Sequence, residues 1–377
     1  MFKAEELFQN ITDRNHPDET VLTIIQGKGT LPREQAGRNI HYDDASLSNY
    51  KKVEQGDFII HLRSFEGGLE MANEAGIVSP AYTILRCKRP HSSLFYDAYF
   101  HTDEFINHNL SKSVEGIRDG RQISYEAFKW LGIPYCEPTE QEKISTLFSA
   151  FNERIAKQRD LVESLKKYKR GLSKAVFSTN SELFPKSTVA SLGELFPFIR
   201  NGFVGTVTPF FTSQENGVRY LQGTNIHDGK ISDETAFYVT QAFNQKHSKN
   251  ILKSNDILVV QSGHVGECAV VGDNYAGSNC HALIIMSNGG ECASDYICQY
   301  INSDDGKKKI AAITTGNTIK HILATSFANI EVPLPSKKDQ QRIAELLNSW
   351  DNRIEQEIRN LCKLVRIKEG LLQQLFI

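Results

Sequence analysis

Apolar residues recur at alternating spacings of three and four in two long segments of the chain. In the first segment they are Ile144, Phe148, Phe151, Ile155, Val162, Leu165, Leu172 and Val176. In the second they are Ile343, Leu347, Trp350, Ile354, Leu361, Leu364, Leu371 and Leu375. This heptad pattern predicts two long amphipathic helices that pack on each other as a coiled coil.

Polar residues interrupt the stripe at matching positions of the two segments, Gln158 with Glu357 and Lys169 with Lys368. Such residues either lie in the seam, where they cost stability and fix register, or face solvent beyond the packed region. Both alternatives remain open from the sequence. Gly171 and Gly370 mark points where each helix would bend or fray.

The starts of the helices carry recognisable signals. Pro138 followed by Thr139-Glu140-Gln141-Glu142 fits a capping box, and Ser336-Lys337-Lys338-Asp339 is a similar acidic start. From residue 140 to 176, the first helix would span roughly 55 Å at about 1.5 Å per residue.

The two segments belong to a larger internal repeat. Residues from about 55 to 177 recur near 254 to 376 at one constant offset, and the match from 134–177 to 333–376 has no gap. Upstream the match loosens, and the second copy carries extra residues before Asp256. A duplicated scaffold with diverged surface segments suits two different recognition tasks.

Short β-branched and aromatic runs in each globular half predict strands. They lie at 58–62 and 82–87, then at 257–261, 268–271 and 281–286, with helical patches near 95–110 and 294–312. We therefore predict a mixed α/β fold in which two homologous α/β domains are joined by two conserved helices, packed as an antiparallel coiled coil with pseudo-two-fold symmetry. The predicted division is 1–133, 134–178, 179–332 and 333–377, as domain, spacer helix, domain and spacer helix.

Charge and composition narrow the class of protein. The 377 residues suit two domains and carry a net charge of −2, with basic helices and mildly acidic globular segments. A domain that grips nucleic acid alone normally shows a clear positive excess. The acidic start at Glu5 and Glu6 and the lack of a long apolar run predict a cytoplasmic protein. The seven cysteines form no CxxC pair, so we expect reduced thiols.

Catalytic signatures are missing from the chain. It has no GxGxxG after a strand, no Walker loop, no HExxH, no GxSxG, no Asn-Pro-Pro-aromatic tetrapeptide and no Asp with a nearby Glu-x-Lys. Gln26-Gly27-Lys28-Gly29-Thr30 lacks the first glycine of a phosphate loop and is interpreted as a turn. No histidine or carboxylate spacing indicates a metal site. We expect no active site, no bound cofactor and no metal in this chain.

Polar loop segments are better candidates for function, because loops on a rigid scaffold carry recognition. Their side chains are of the types that contact base edges and phosphates, although any single one could be a solvated turn residue. The candidates for DNA contact are His61, Arg63, Ser79, Tyr82, Arg118, Arg121, Gln122, Ser262, His264, Asn279, His281, Asn317, Lys320 and His321.

This architecture resembles the specificity (S) subunits of type I restriction–modification systems, over essentially the whole chain. The most specific segments are the helix entries, Ile133-Pro134 to Gln141-Glu142-Lys143-Ile144 and Val332-Pro333-Leu334-Pro335 to Gln340-Gln341-Arg342-Ile343. Equally typical are Leu371-Leu372-Gln373-Gln374-Leu375-Phe376, Gly56-Asp57 with Ile77-Val78-Ser79-Pro80-Ala81-Tyr82, and Thr315-Gly316-Asn317-Thr318. Met1 lies very close to the first Glu-Leu-Phe, which leaves the first domain little lead-in.

The resemblance implies a non-catalytic reader of double-stranded DNA. Each recognition domain would contact one half of a bipartite target, and the helices would set the spacer and dock two modification (methyltransferase) subunits. Restriction (motor nuclease) subunits would join in the full complex, and S-adenosylmethionine, ATP and Mg²⁺ would be bound by the partners. The rival interpretation is a scaffold that binds other proteins through its coiled coil and two α/β lobes.

Overall fold

The computed structural model describes residues 1–36, 44–60, 68–113, 123–178 and 187–376, which form two compact units. The first unit comprises Met1–Asp160 with Ile358–Ile377, and the second comprises Leu161–Glu357. We call residues 1–133 the first lobe and residues 187–332 the second lobe. In the described part of the chain, no helix is long and apolar enough to span a membrane.

The first lobe is built on an antiparallel sheet. Its strands are β1 (Phe2–Lys3), β2 (Phe8–Ile11), β3 (Leu22–Ile25), β4 (Gly29–Pro32), β5 (Lys51–Val53), β6 (Phe58–Ile60), β7 (Leu69–Met71), β8 (Gly76–Val78), β9 (Thr83–Cys87) and β10 (Gly132–Ile133). Helices in this unit are α1 (Ala4–Leu7), α2 (Ser93–Phe100), α3 (Tyr125–Phe128) and the start of α4 (Pro138–Phe177), with a π-helical segment at Glu104–Asn109. The main sheet has the order β2-β9-β6-β7, and β1–β10, β3–β4 and β5–β8 form separate antiparallel pairs.

Aromatic rings fill the core between this sheet and α2. Phe8 packs edge-on against Tyr96 with ring centroids 5.0 Å apart, and Phe58 does the same against Phe100 at 4.9 Å. All four residues are buried, and edge-to-face pairs of this kind add to the free energy gained by burying apolar area. The same core includes Phe376 from the end of the second long helix.

The second unit repeats this topology and adds to it. Its strands are β11 (Thr188–Ser191), β12 (Phe198–Asn201), β13 (Gly217–Leu221), β14 (Ile226–His227), β15 (Lys230–Ile231), β16 (Phe237–Thr240), β17 (Ile257–Val260), β18 (Cys268–Val270), β19 (Asn279–Cys280), β20 (Leu283–Ser287) and β21 (Glu331–Leu334). Its helices are α5 (Leu192–Leu195), α6 (Gln241–Lys246), α7 (Ser294–Asn302), α8 (Asp304–Ile313), α9 (Ala324–Ala328), the end of α4 and the start of α10 (Lys337–Phe376).

The order of the main sheet, β12-β20-β17-β18, matches that of the first lobe strand for strand, and β11–β21 matches β1–β10. The longer segment before Asp256 forms strands β13 and β16, which pair with each other, and helix α6. Strand β13 also pairs in parallel with β19. The longer segment therefore folds differently from its counterpart in the first lobe, which forms β3, β4 and β5.

The long helices α4 and α10 each run for 40 residues. In the first unit, Phe148 near the start of α4 stacks on Phe376 at the end of α10, with centroids 6.5 Å apart. In the second unit, Val176 at the end of α4 shares a core with Ile343 and Leu347 at the start of α10. Start packs against end in both units, so the predicted antiparallel arrangement is confirmed within each.

The seam between the long helices follows the predicted stripe with one correction. Every residue predicted for the helix–helix interface, from Ile144 to Leu172 and from Ile343 to Leu371, is buried or half-buried. The predicted stripe also includes Leu375. This part of the prediction is wrong, because the Leu375 side chain is 44% exposed while Leu372 and Phe376 are buried. Phe376 instead packs on aromatic rings of the first lobe, and a straight helix drifts away from a strict seven-residue repeat.

The polar positions of the stripe lie in the packed region, which decides between the two alternatives. Gln158 and Glu357 are each only 6% exposed. Lys169 donates to a carboxylate oxygen of Asp351 at 2.5 Å. The helices continue through Gly171 and Gly370 to Phe177 and Phe376, so neither glycine ends a helix.

A buried glutamine connects each lobe to the long helix that follows it. The side-chain oxygen of Gln141 accepts from the Ser92 amide at 2.9 Å, and its nitrogen donates to the Cys136 carbonyl at 2.8 Å. Gln340 repeats both bonds, with the Ala293 amide at 2.9 Å and the Pro335 carbonyl at 2.9 Å. The two helices therefore keep this residue because it satisfies backbone groups at the lobe–helix junction.

The segment 26–30 is the turn of the β3–β4 hairpin. Gly27 and Gly29 both have positive φ, and their amides donate to the Glu70 carboxylate at 2.7 and 3.0 Å. A Cβ on Gly29 would lie 2.5 Å from the Met71 carbonyl oxygen. In a phosphate loop these two amides would bind the phosphate. Here they bind the Glu70 carboxylate, in agreement with the interpretation of the segment as a turn.

Candidate nucleic-acid interface

In the first lobe, the predicted residues Ser79 and Tyr82 form a tight turn after β8. The Tyr82 amide donates to the Ser79 carbonyl at 3.2 Å, and the Tyr82 carbonyl accepts from Lys51 Nζ at 2.6 Å. Ser79 and Tyr82 are half-exposed. Burial raises the pKa of the Tyr82 hydroxyl and lowers the pKa of Lys51. Lys51 therefore holds the turn in place, and only part of the Ser79 and Tyr82 side chains is exposed to solvent.

The other first-lobe candidates come from two segments of the sequence. His61, Arg63, Arg118, Arg121 and Gln122 lie outside the described residues. Their role stays a prediction from the sequence.

In the second lobe, two segments that are distant in sequence come together, and we call residues 261–267 with 314–321 the loop cluster. The amide of Ile322 donates to the Gln261 carbonyl at 3.1 Å, and the Gly263 amide donates to the Lys320 carbonyl at 3.3 Å. Thr315 and His321 exchange two backbone bonds of 2.9 Å each, which close the second loop. Five of the predicted residues are thereby placed in one surface region.

A glycine shapes each segment of the loop cluster. Gly316 has φ +94°, and a Cβ there would lie 2.2 Å from the Ile319 carbonyl oxygen. Gly266 has φ +93°, and a Cβ would meet Ile310 at 2.7 Å. Only glycine fits both positions, so backbone conformation fixes the shape of the cluster.

The exposed side chains of the loop cluster offer a mixed set of hydrogen-bonding groups. Ser262, His264, Asn317 and Lys320 are exposed, while His321 is half-exposed and its Nε2 lies 3.1 Å from Thr315 Oγ1. A hydroxyl, an amide and an ammonium group on closed loops can contact base edges and phosphates.

Asn279 requires a correction, because its position rules out contact with DNA. The residue is fully buried, and its amide nitrogen donates to Asn244 Oδ1 at 2.9 Å and to the His247 carbonyl at 3.2 Å. Its partners come from α6 and the turn after it, more than thirty residues earlier, which the local sequence does not reveal. Asn279 therefore holds α6 to β19.

His281, two residues later, is half-buried. Its Nδ1 lies 3.4 Å from the Tyr220 hydroxyl, and burial lowers its pKa. Its ring lies 6.3 Å from that of Phe203, in an aromatic group that also contains Phe243. These neighbours give His281 a mainly apolar environment.

Some positions near the loop cluster were not singled out from the sequence. Lys307, Lys308 and Lys309 are exposed on α8, directly before the second segment of the cluster. The sequence does show them, as three consecutive lysines shortly before the Thr315-Gly316-Asn317 loop. Lys308 pairs with Asp305 at 3.5 Å and Lys309 donates to the Glu331 carbonyl at 2.5 Å, so two of these positive charges are already engaged within the second unit.

Comparison with known proteins gives consistent matches. A family described as "Type I restriction modification DNA specificity domain" matches residues 182–363. The MjaVIII type I restriction enzyme specificity subunit of Methanocaldococcus jannaschii is 23% identical over 337 residues, covering 86% of this chain and 79% of that protein. The putative MjaX specificity subunit of the same organism is 24% identical over 271 residues, covering 67% of this chain and 60% of that protein.

Two solved structures share the fold. The S subunit of a type I restriction–modification system from M. genitalium has a TM-score of 0.60 at 15% identity, covering all of this chain and 95% of that one. A chain from a study of complex assembly and conformational transition in a type I system has a TM-score of 0.61 at 17% identity, covering 99% and 96%. At these identities the likeness concerns the fold alone.

Proposed function

We propose that the chain is a specificity subunit of a type I restriction–modification system, and that it reads a bipartite DNA target with one half-site for each lobe. The observation that supports this most directly is the repeated topology. Both lobes have the same four-stranded order, β2-β9-β6-β7 and β12-β20-β17-β18. The segments that connect equivalent strands differ in length and sequence between the lobes. A shared scaffold with different loops suits two different half-sites.

The proposed contacts follow from exposure and chemistry. In the second lobe, Lys320 would meet a phosphate, whereas Ser262 and Asn317 would contact base edges or the sugar–phosphate backbone. His264 and His321 would line the same surface, and His281 would contribute the exposed part of its ring. In the first lobe, Ser79 and Tyr82 would act together with His61, Arg63, Arg118, Arg121 and Gln122.

The helices would dock two modification subunits. Several apolar side chains of α4 and α10 are exposed and are available for contact with a partner protein. They are Leu147, Leu161, Tyr168, Leu346, Ile358, Ile367 and Leu375. Specificity subunits are non-catalytic, so S-adenosylmethionine would be bound by the modification subunits, and ATP and Mg²⁺ by restriction subunits that join them.

Binding of DNA by the chain alone should be weak and sensitive to salt. Both lobes are net acidic, so they neutralise few phosphates by themselves. Tight binding would then require the modification subunits to close around the duplex. Nanomolar binding of one specific duplex by the isolated chain in physiological salt would contradict this part of the proposal.

The proposal is tested by methyl transfer in a reconstituted complex. Modification subunits of the same system are mixed with the chain, and transfer from labelled S-adenosylmethionine to a DNA library is measured and mapped. We expect target methylation only when the chain is present, and a changed first half-site when residues 1–133 are replaced by another recognition domain. Unchanged methylation after this replacement would favour a scaffold that binds only proteins.

The spacer role of the helices has a separate test. Insertion of one heptad into α4 adds about 10 Å at 1.5 Å per residue. We expect a longer unread spacer or a complex that fails to assemble. An assembled complex with an unchanged target would show that the helices do not set the spacing.

A further inference from the structure

Three metal-ligating side chains of the second lobe lie close together, and two of them belong to the loop cluster. His227 is on β14, while His264 and Glu267 are on the segment between β17 and β18. One potential ligand atom from each residue lies within 4.8 Å of the other two. His227 is far from the other two in sequence, so spacing alone predicts no metal site here.

The backbone holds the two segments in fixed conformations. His227 begins a two-residue hairpin turn in which Asp228 and Gly229 both have positive φ, at +50° and +78°. The Val260 amide donates to the Glu267 carbonyl at 2.8 Å, and the Gly266 amide donates to the Val260 carbonyl at 2.9 Å. The three side chains therefore start from a preorganised framework.

Hydrogen bonds orient both imidazole rings. Nε2 of His227 lies 2.8 Å from the Thr224 carbonyl, and Nε2 of His264 lies 3.2 Å from the Ile226 carbonyl. Because a carbonyl oxygen only accepts, Nε2 donates in both bonds, which leaves Nδ1 with its lone pair in the neutral form of each ring. Histidines that bind metals usually donate their second N–H to such a carbonyl, which fixes the tautomer and the ring orientation.

The glutamate supplies the observation that points to a cation. Oε2 of Glu267 is buried and has no hydrogen-bond partner among the described residues. It lies 3.8 Å from His227 Nδ1, and the two imidazole rings stack with centroids 5.0 Å apart and planes 17° apart. Two ligands at about 2.0–2.1 Å from one tetrahedral zinc ion lie roughly 3.4 Å apart. The three ligand atoms must therefore approach one another, and at least one of the two nearly parallel rings must turn so that both lone pairs point at the ion.

We propose that His227, His264 and Glu267 bind one divalent transition-metal ion, with Zn²⁺ as the expected occupant. Two nitrogens and one carboxylate match the three-ligand sets of zinc, whereas Mg²⁺ and Ca²⁺ prefer oxygen ligands alone. Because both histidines are exposed, the fourth position is open to water. The ion neutralises the buried carboxylate oxygen and joins the β14–β15 hairpin to the loop cluster.

The test measures Zn²⁺ binding to the full chain, prepared without a polyhistidine tag and stripped with a chelator. Competition against a chromogenic chelator gives affinity and stoichiometry for the native chain and for His264→Ala, His227→Ala and Glu267→Gln. His108→Ala is the matched control, since this histidine is exposed in the first lobe. We expect one ion per chain, at least about a tenfold loss of affinity in each ligand variant and no change in the control.

A second measurement separates ligand loss from misfolding. Thermal unfolding is recorded with Zn²⁺, with Mg²⁺ and with EDTA, because an ion that binds only the folded state raises Tm. We expect Zn²⁺ but not Mg²⁺ to raise Tm in the native chain and in His108→Ala, and the ligand variants to match the native chain in EDTA. Absence of binding at micromolar Zn²⁺, or equal affinity in the ligand variants and the control, would overturn the proposal.

Discussion

The two halves of the chain are alike at the lobe–helix junctions and differ at the turn that follows β8 in the first lobe. At the junctions, Gln141 and Gln340 make the same pair of backbone bonds in both units. At the turn before the central strand of each sheet, half-exposed Ser79 stands in the first lobe where buried Ser278 and Asn279 stand in the second. The repeat is thus retained where both halves meet one structural need, and has diverged at a position that is half-exposed in one lobe and bonded to α6 in the other.

The largest expected effect comes from the junctions. Gln340→Leu leaves the Ala293 amide and the Pro335 carbonyl without their partner, which should cost about 2–4 kcal/mol of the free energy of unfolding of the second unit. Gln141→Leu should cost a similar amount in the first unit, which makes the two variants controls for each other. Denaturant unfolding followed by peptide-resolved hydrogen exchange measures both. A cost in one unit only would show that the two junctions are not equivalent.

The next largest effect is expected at buried Asn279 in the second lobe. Asn279→Ala removes the bond to Asn244 in a fully buried site and should cost about 1–3 kcal/mol without changing the methylated sequence. Lys320→Gln on the exposed loop should leave stability within about 0.5 kcal/mol, and should weaken DNA binding by the assembled methyltransferase and lower its salt slope by about one. The opposite outcome, a stable Asn279→Ala with an altered target, would return this residue to the DNA interface.

The polar seam positions differ between the two copies. Lys169 bonds Asp351 at 2.5 Å in a partly buried pair, so Lys169→Met should cost about 1 kcal/mol. Lys368 has no carboxylate within ion-pair distance among the described residues, and burial lowers its pKa although Asp97 acts in the opposite direction. Lys368→Met should therefore be close to neutral. Equal costs in chemical denaturation would contradict this difference.

The smallest expected effect is a difference in pH dependence between the lobes. In the first lobe, burial disfavours the protonated ring of His101, but the carboxylates of Glu70 and Asp97 at 3.6 Å outweigh it and raise its pKa. Its contribution is present below the unfolded pKa near 6.5 and is lost as pH rises through the folded pKa. In the second lobe, burial lowers the pKa of His281, so stability there is lost as pH falls from about 6.5 through the folded pKa.

Protection factors from hydrogen exchange, corrected for intrinsic rates, measure this difference peptide by peptide between pH 5 and 8. We expect the first lobe to gain protection and the second to lose it as pH falls. His101→Gln should flatten the first response only, and His281→Gln the second only. Parallel responses of the two lobes would show that other groups control the pH dependence.

The sequence predicts the helices well because their signal is local. A heptad stripe places Phe148 and Ile343 correctly, and the repeat register aligns Phe128 with Phe327, both fully buried. The prediction fails at Leu375, where the helix end packs on a lobe and the seven-residue period no longer applies. Local periodicity therefore suffices as long as one helix packs against the other.

The candidate site is only partly predictable from the sequence. Exposure of Asn317 and Lys320 follows from a polar loop that contains glycine, and the structure has both on the surface. Burial of Asn279 depends on Asn244 and His247, and the grouping of His227 with Glu267 depends on two turns that are distant in sequence. Such contacts are set by tertiary packing, which residue types and spacing do not specify.

The most direct test of the central claim is methylome sequencing of cells that express the modification subunits with the native chain, with no chain, or with residues 179–332 exchanged for another recognition domain. Two half-sites read by two lobes predict a bipartite methylated motif with the native chain and none without it. The exchange should change the second half-site and leave the first half-site unchanged. A motif that survives without the chain, or that changes in both halves after the exchange, would contradict the account.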